Sequence, residues 1–296
     1  MLVLDAGARV TQLRFLPDGR LLVGTWAAGD AGLAIWPLSD GPVVFIPLPY
    51  RQVWDAPNRL AVLPSGDRLV TAFGGLAAAS TVDGTELADG PTGPANEVIA
   101  APTRDRFVTG HREPAGETVL TGLSRLGERL WQTTYPPTRF HTLAGFTPDG
   151  KHYLVLGSRK VTARSFAADG EAWSAAYPSN HADSPQLSPD GRHLGVMGAS
   201  SLSLYDLTAP NMPRQIKGGS NNGNFVGFAF HPAGKTLAVI HGGPTLVKLY
   251  DLDTLTLRTK LNWKVGALTC VAFSADGQLG AVGTDDGRVV VWDVDE

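Results

Sequence analysis

The chain has 296 residues, 43% of them hydrophobic and 18% charged, with 35 Gly, 21 Pro and a formal net charge of −3. No Lys/Arg block is present, which removes the electrostatic footprint that nucleic acid or an anionic membrane surface requires. A single cysteine, Cys270, excludes an internal disulfide; in the apolar run LTCVAF it is expected to be a small buried residue.

The opening residues, MLVLDAGARV, lack a charged segment followed by an apolar core, and no apolar run approaches the roughly 20 residues that cross a bilayer. The expectation is a soluble, cytoplasmic, monomeric protein that binds neither membrane nor nucleic acid. Leu2 to Asp5 reads as a strand without a unit of its own. From Phe15, FLPDGRLLVG joins two apolar strands through a Pro-Asp-Gly turn. Weaker copies follow as LPSGDRLVTA from Leu63 and APTRDRFVTG from Ala101. The phrase then returns as FTPDGKHYLVLG at Phe146, LSPDGRHLGVMG at Leu187, FHPAGKTLAVI at Phe230 and FSADGQLGAV at Phe273.

The turn positions are Gly19, Gly66, Arg104, Gly150, Gly191, Gly234 and Gly277, spaced 38 to 47 residues apart. A period near 40 with several short strands per unit is the signature of a β-propeller blade. Asp-Gly turns supply the positive φ that tight hairpins require. The sixth unit shows the full pattern, as FVGFAF, KTLAVIH, LVKLYD and LTLRTKLN. Seven units occupy residues 1–296, so the fold class expected is an all-β, seven-bladed propeller of four-stranded antiparallel blades forming a single domain. The seventh unit stops after three strands, ending VVVWDV. Leu2 to Asp5 is therefore expected to pair beside Arg288 to Asp293 and close the ring, because an open ring leaves bare strand edges.

Thr284-Asp285-Asp286-Gly287-Arg288 leading to Trp292-Asp293 resembles the typical phrase of the WD-repeat family. Tyr205-Asp206 and Tyr250-Asp251 are softer forms, and Trp36 holds the equivalent place in the first unit. The resemblance implies a propeller that binds protein partners. It also implies a network in which a His before the first strand and a strand hydroxyl join the turn Asp and the Trp. LNWKVGA before Leu268 has no such His, and Val282 stands where the hydroxyl belongs. Units two to four instead carry DGTEL at Asp83, GERLW at Gly127 and DGEAW at Asp169, similar to repeats of pyrroloquinoline-quinone-type propellers.

No nucleophile elbow, zinc-protease helix, phosphate loop or metal-spaced Cys pair is present, and no cofactor or catalytic residue is assigned. His152, His193 and His231 are expected as exposed turn or strand-edge residues on one rim, the one that also carries LSDGP and DLDT and reads as ordinary solvated surface. The opposite rim, formed by second-to-third-strand turns and blade-to-blade connections, gathers aromatics, Arg and His. Its residues Tyr50, Arg51, Trp54, Arg139, Phe140, His141, His181, Phe225, Trp263 and Lys264 are the candidate partner-binding set, with Trp54, Phe140 and Trp263 as exposed anchors. Two readings remain open. One is a non-catalytic scaffold for a protein or peptide. The other is a lactonase- or hydrolase-type propeller enzyme with substrate, and a divalent metal, at the channel mouth, for which Asp55, Glu97, Asp183 and Asp285 are the candidate acids.

Overall fold

The structure is a computed structural model that describes residues 1–27, 30–47, 60–73, 75–83, 85, 93–137, 141–157, 159–176, 183–198, 200–208, 213–218, 224–241 and 245–295. Its strands form seven four-stranded antiparallel sheets around one axis. Six of them follow chain order from the innermost to the outermost strand and span 9–47, 60–95, 97–135, 142–176, 183–217 and 225–262. The seventh takes three strands from 268–293 and its outermost from Leu2–Asp5.

That last pairing is the closure the sequence calls for. Leu2 faces Val291, Val3 faces Val290, Leu4 faces Val289 and Asp5 faces Arg288, and the Ala6 amide continues the ladder to the Gly287 carbonyl at 2.8 Å. A second, independent closure lies in the packing. Val10, Leu13 and Phe15 of the first blade share a buried cluster with Ala281, Val289 and Val291 of the seventh. Every neighbouring pair of blades has such a cluster, for example Ala61, Leu63 and Val70 against Val98 and Phe107. The middle strands are covered on both faces and are nearly continuous apolar runs. The outermost ones are not, as the exposed Leu257–Asn262 shows.

Two tryptophans are seated by glycines on the adjacent strand. A Cβ at Gly280 would lie 2.1 Å from the Trp292 ring, and one at Gly122 2.1 Å from that of Trp131. Only a bare backbone leaves room for an indole there. Val282 occupies the place where a hydroxyl would meet the indole in the family pattern. The buried Nε1 of Trp292 accordingly has no hydrogen-bond partner among the described residues.

The rim carrying the first-to-second-strand turns is not an ordinary solvated surface. Turns of neighbouring blades lean on one another at several places around it. The Thr103 hydroxyl donates to the Asp149 carbonyl at 3.1 Å, and His231 Nε2 lies 2.9 Å from the Gly277 carbonyl. Gly66 stands against Pro17, and Gly191 against Pro148. None of the three histidines expected to be exposed there is exposed. His193 is buried, His152 is half-buried, and His231 is half-buried with its ring 5.0 Å from that of Phe273. Cys270 is half-buried rather than buried, because its strand lines the channel.

Candidate functional site

The innermost strands surround the axis. They include Arg9–Phe15, Glu97–Ala100, Thr142–Phe146, Phe225–Phe230 and Leu268–Phe273, and the channel between them holds a cavity of about 450 Å³. Each of these strands pairs only with the second strand of its own sheet, so its other backbone edge faces the channel. Strand direction then fixes the two mouths. One is ringed by the turn rim, the other by the blade-to-blade connections and second-to-third-strand turns.

Of the ten candidate binding residues, Tyr50, Arg51, Trp54, Arg139, Phe140 and His181 lie outside the described residues. The other four divide. Phe225 is buried at 6% exposure in the cluster between blades five and six, its ring 4.6 Å from that of His241. Trp263 is half-buried between blades six and seven, 5.0 Å from the Trp292 ring. Both hold blades together, and the expectation that Trp263 is an exposed anchor is corrected. His141 is half-buried, its ring 4.1 Å from that of Tyr135, whose phenol burial pushes up to about 12. Lys264 alone among the four is exposed. It sits at φ 54° in a turn where its amide donates to Asn262 Oδ1 at 2.9 Å.

The loop-rich rim also presents a residue that motif reading passes over. Trp26 is exposed at the end of Leu21–Ala27, next to the turn toward the third strand. Arg9 is paired with it across the ladder and is exposed too. Arg112 and Arg159 are exposed at corresponding ends of blades three and four. Below this surface lies His241, buried at 1%, whose pKa burial, aided by the charge of Lys248, pushes down to about 4. Lys248 is itself buried, and its pKa is lowered for the same reason.

Of the four candidate acids, Glu97 and Asp285 have described side chains. Asp55 lies outside the described residues, and of Asp183 the backbone alone is placed. Glu97 Oε2 accepts the Leu143 amide of the next blade at 2.9 Å. Asp285 is exposed, with its amide donating to the Ala267 carbonyl at 2.9 Å. Among the described residues, no three of His, Cys, Asp and Glu gather as a metal site. Nor is any helix among them long and apolar enough to cross a membrane.

Comparison with known proteins agrees with this geometry. The family profile "WD domain, G-beta repeat" matches residues 256–293. An uncharacterized WD repeat-containing protein of Synechocystis sp. is 24% identical over 164 residues, 51% of this chain and 47% of that protein. Pre-mRNA-processing factor 19 homolog 2 of Arabidopsis thaliana is 30% identical over 91 residues, 31% of this chain and 17% of that protein. The chain thus spans less than half the length of these curated relatives. Among solved structures, the β-propeller domain of Cps50 (Swd1) from Myceliophteria thermophila superposes with a TM-score of 0.77 at 16% identity, covering 99% of this chain and 98% of that one.

Proposed function

We propose that this chain, a WD-repeat β-propeller of seven blades, is a non-catalytic scaffold that binds a protein or peptide on its loop-rich rim. The observation that carries the reading is the closed ring itself. The strands of all seven blades are held around one channel by ladders and buried clusters, so the rim is presented from a rigid frame. Trp26, with Arg9 and Lys264, supplies an exposed aromatic and cations of the kind that anchor interfaces. Tyr50, Arg51, Trp54, Arg139, Phe140 and His181 belong to the same proposed surface by their place in the connections. Of the candidate acids for the enzyme reading, Glu97 is engaged by the Leu143 amide.

The test is quantitative capture of partners from the native extract. Wild type would be compared with Trp26→Ala plus Lys264→Glu, and with Lys235→Glu on the turn rim as control. Trp26→Ala plus Lys264→Glu should lose specific partners at unchanged melting temperature, while Lys235→Glu keeps them. Identical partner sets for all three proteins would remove the loop-rich rim as the binding face.

A further inference from the structure

The channel contains a cation for which the described residues supply no counter-charge. Among the described residues lining the cavity, Arg14 is the one with a charged side chain. It stands just before Phe15 on the innermost strand of blade one. No hydrogen bond or ion pair joins its guanidinium to any described residue, whereas Arg20 on the adjoining turn pairs with Asp18 at 2.7 Å.

The neighbouring blades leave space at this level. Counting back from the equivalent turn, the residues matching Arg14 include Ile99, Gly145, Gln186, Ala229 and Ala272, all of which line the cavity. Three of these five are Gly or Ala. The one long polar side chain among them is engaged, since Gln186 Nε2 donates to the Phe228 carbonyl at 3.0 Å. Arg14 keeps some water-accessible surface, as a channel-lining group must, yet is enclosed enough for desolvation to lower its pKa.

An enclosed guanidinium without a partner is unfavourable, and its planar fork of donors matches the two oxygens of a carboxylate or phosphate. The innermost strands add backbone N–H groups along their unpaired edges. We propose that Arg14 makes the channel an oxyanion-binding site, taking a small carboxylate or phosphate group into the space left by Gly145, Ala229 and Ala272. The site is independent of the loop-rich rim and of any partner bound there.

Calorimetric titration tests this, with inorganic phosphate in one arm and succinate in the other. Ionic strength is held constant with chloride. Wild type should bind at least one of the two saturably at a single site, and the arm that binds identifies the oxyanion. Arg14→Gln should weaken that binding about tenfold or more, while Arg20→Gln, a change at an exposed paired arginine, should leave it intact. If Arg14→Gln does not fold, Arg14→Lys carries the test, because a point charge lacking the fork should weaken binding several-fold. No saturable binding of either anion by wild type overturns the proposal, as does unchanged affinity in the Arg14 variant that folds.

Discussion

The two rims of the ring are built on different principles. On the turn rim, one short phrase repeats and turns of neighbouring blades rest directly on one another, through contacts such as Thr103 to Asp149 and His231 to Gly277. On the loop-rich rim no phrase repeats. Order there comes from side chains stacked beneath the surface, such as Phe225 on His241 and Tyr135 on His141. Backbone turns in mutual contact tolerate little change. A surface supported from beneath by packed side chains lets its exposed residues vary, and that freedom suits recognition.

The sharpest way to break this contrast is at Gly277. Its φ is 76°, and a Cβ would stand 2.5 Å from His231 Nε2. Gly277→Ala combines backbone strain with overpacking and should cost about 3 kcal/mol, read as a fall in the urea midpoint at unchanged m-value. A cost within about 0.5 kcal/mol, as expected of an unconstrained surface position, would mean that the turn rim is no stiffer than its opposite.

The same contrast explains what could be read from the sequence. Pro-Asp-Gly turns at a regular spacing revealed the blade count and the ring closure, because a tight turn depends on a few local residue types. The loop-rich rim depends on which side of a blade a side chain faces, and that is settled by the neighbouring blade. Phe225 and Trp263 stand beside connections and look exposed, yet one is buried against blade five and the other against Trp292. Trp26 presents the opposite case. It continues the face of Leu22, which is buried against blade two. Strand alternation therefore assigns Trp26 to the core, although it is exposed. Arg14 was legible only as one more charged residue, since its setting depends on the small residues Gly145, Ala229 and Ala272 that three other blades place around the channel.

Acidification probes the support beneath the loop-rich rim. His241 titrates near 4 in the folded chain and near 6.5 when unfolded, so the unfolded state binds the extra proton first. Stability from this group is complete above pH 6.5 and is lost progressively down to about pH 4. Allowing for incomplete desolvation, the loss should amount to about 1–2 kcal/mol. His241→Phe keeps the stacking on Phe225 and should flatten the pH dependence in that window. A second loss, between about pH 4 and 2, should survive the substitution. It belongs to Asp251, held down to about 2 by the Thr254 amide, and Asp286, held down to about 2 by Arg288. If His241→Phe leaves the upper window unchanged, the buried histidine is not what stabilises that rim.

The smallest effect decides whether the turn rim acts as a unit. Thr103→Ala removes one exposed hydroxyl-to-carbonyl bond between blades three and four and should cost about 0.5–1 kcal/mol. Gly277 lies between blades six and seven, so the two sites share no contact. If each turn is sensed only by its neighbour, Thr103→Ala combined with Gly277→Ala should be additive within about 0.5 kcal/mol. Local coupling of that kind is what repeat architecture generally produces. A closed ring differs from an open repeat array in one respect, because strain at one interface can be relieved only by opening another. A combined loss well above the sum would show the turns sharing strain around the circle, with the Leu2–Asp5 to Arg288–Asp293 ladder as the clasp that prevents its release.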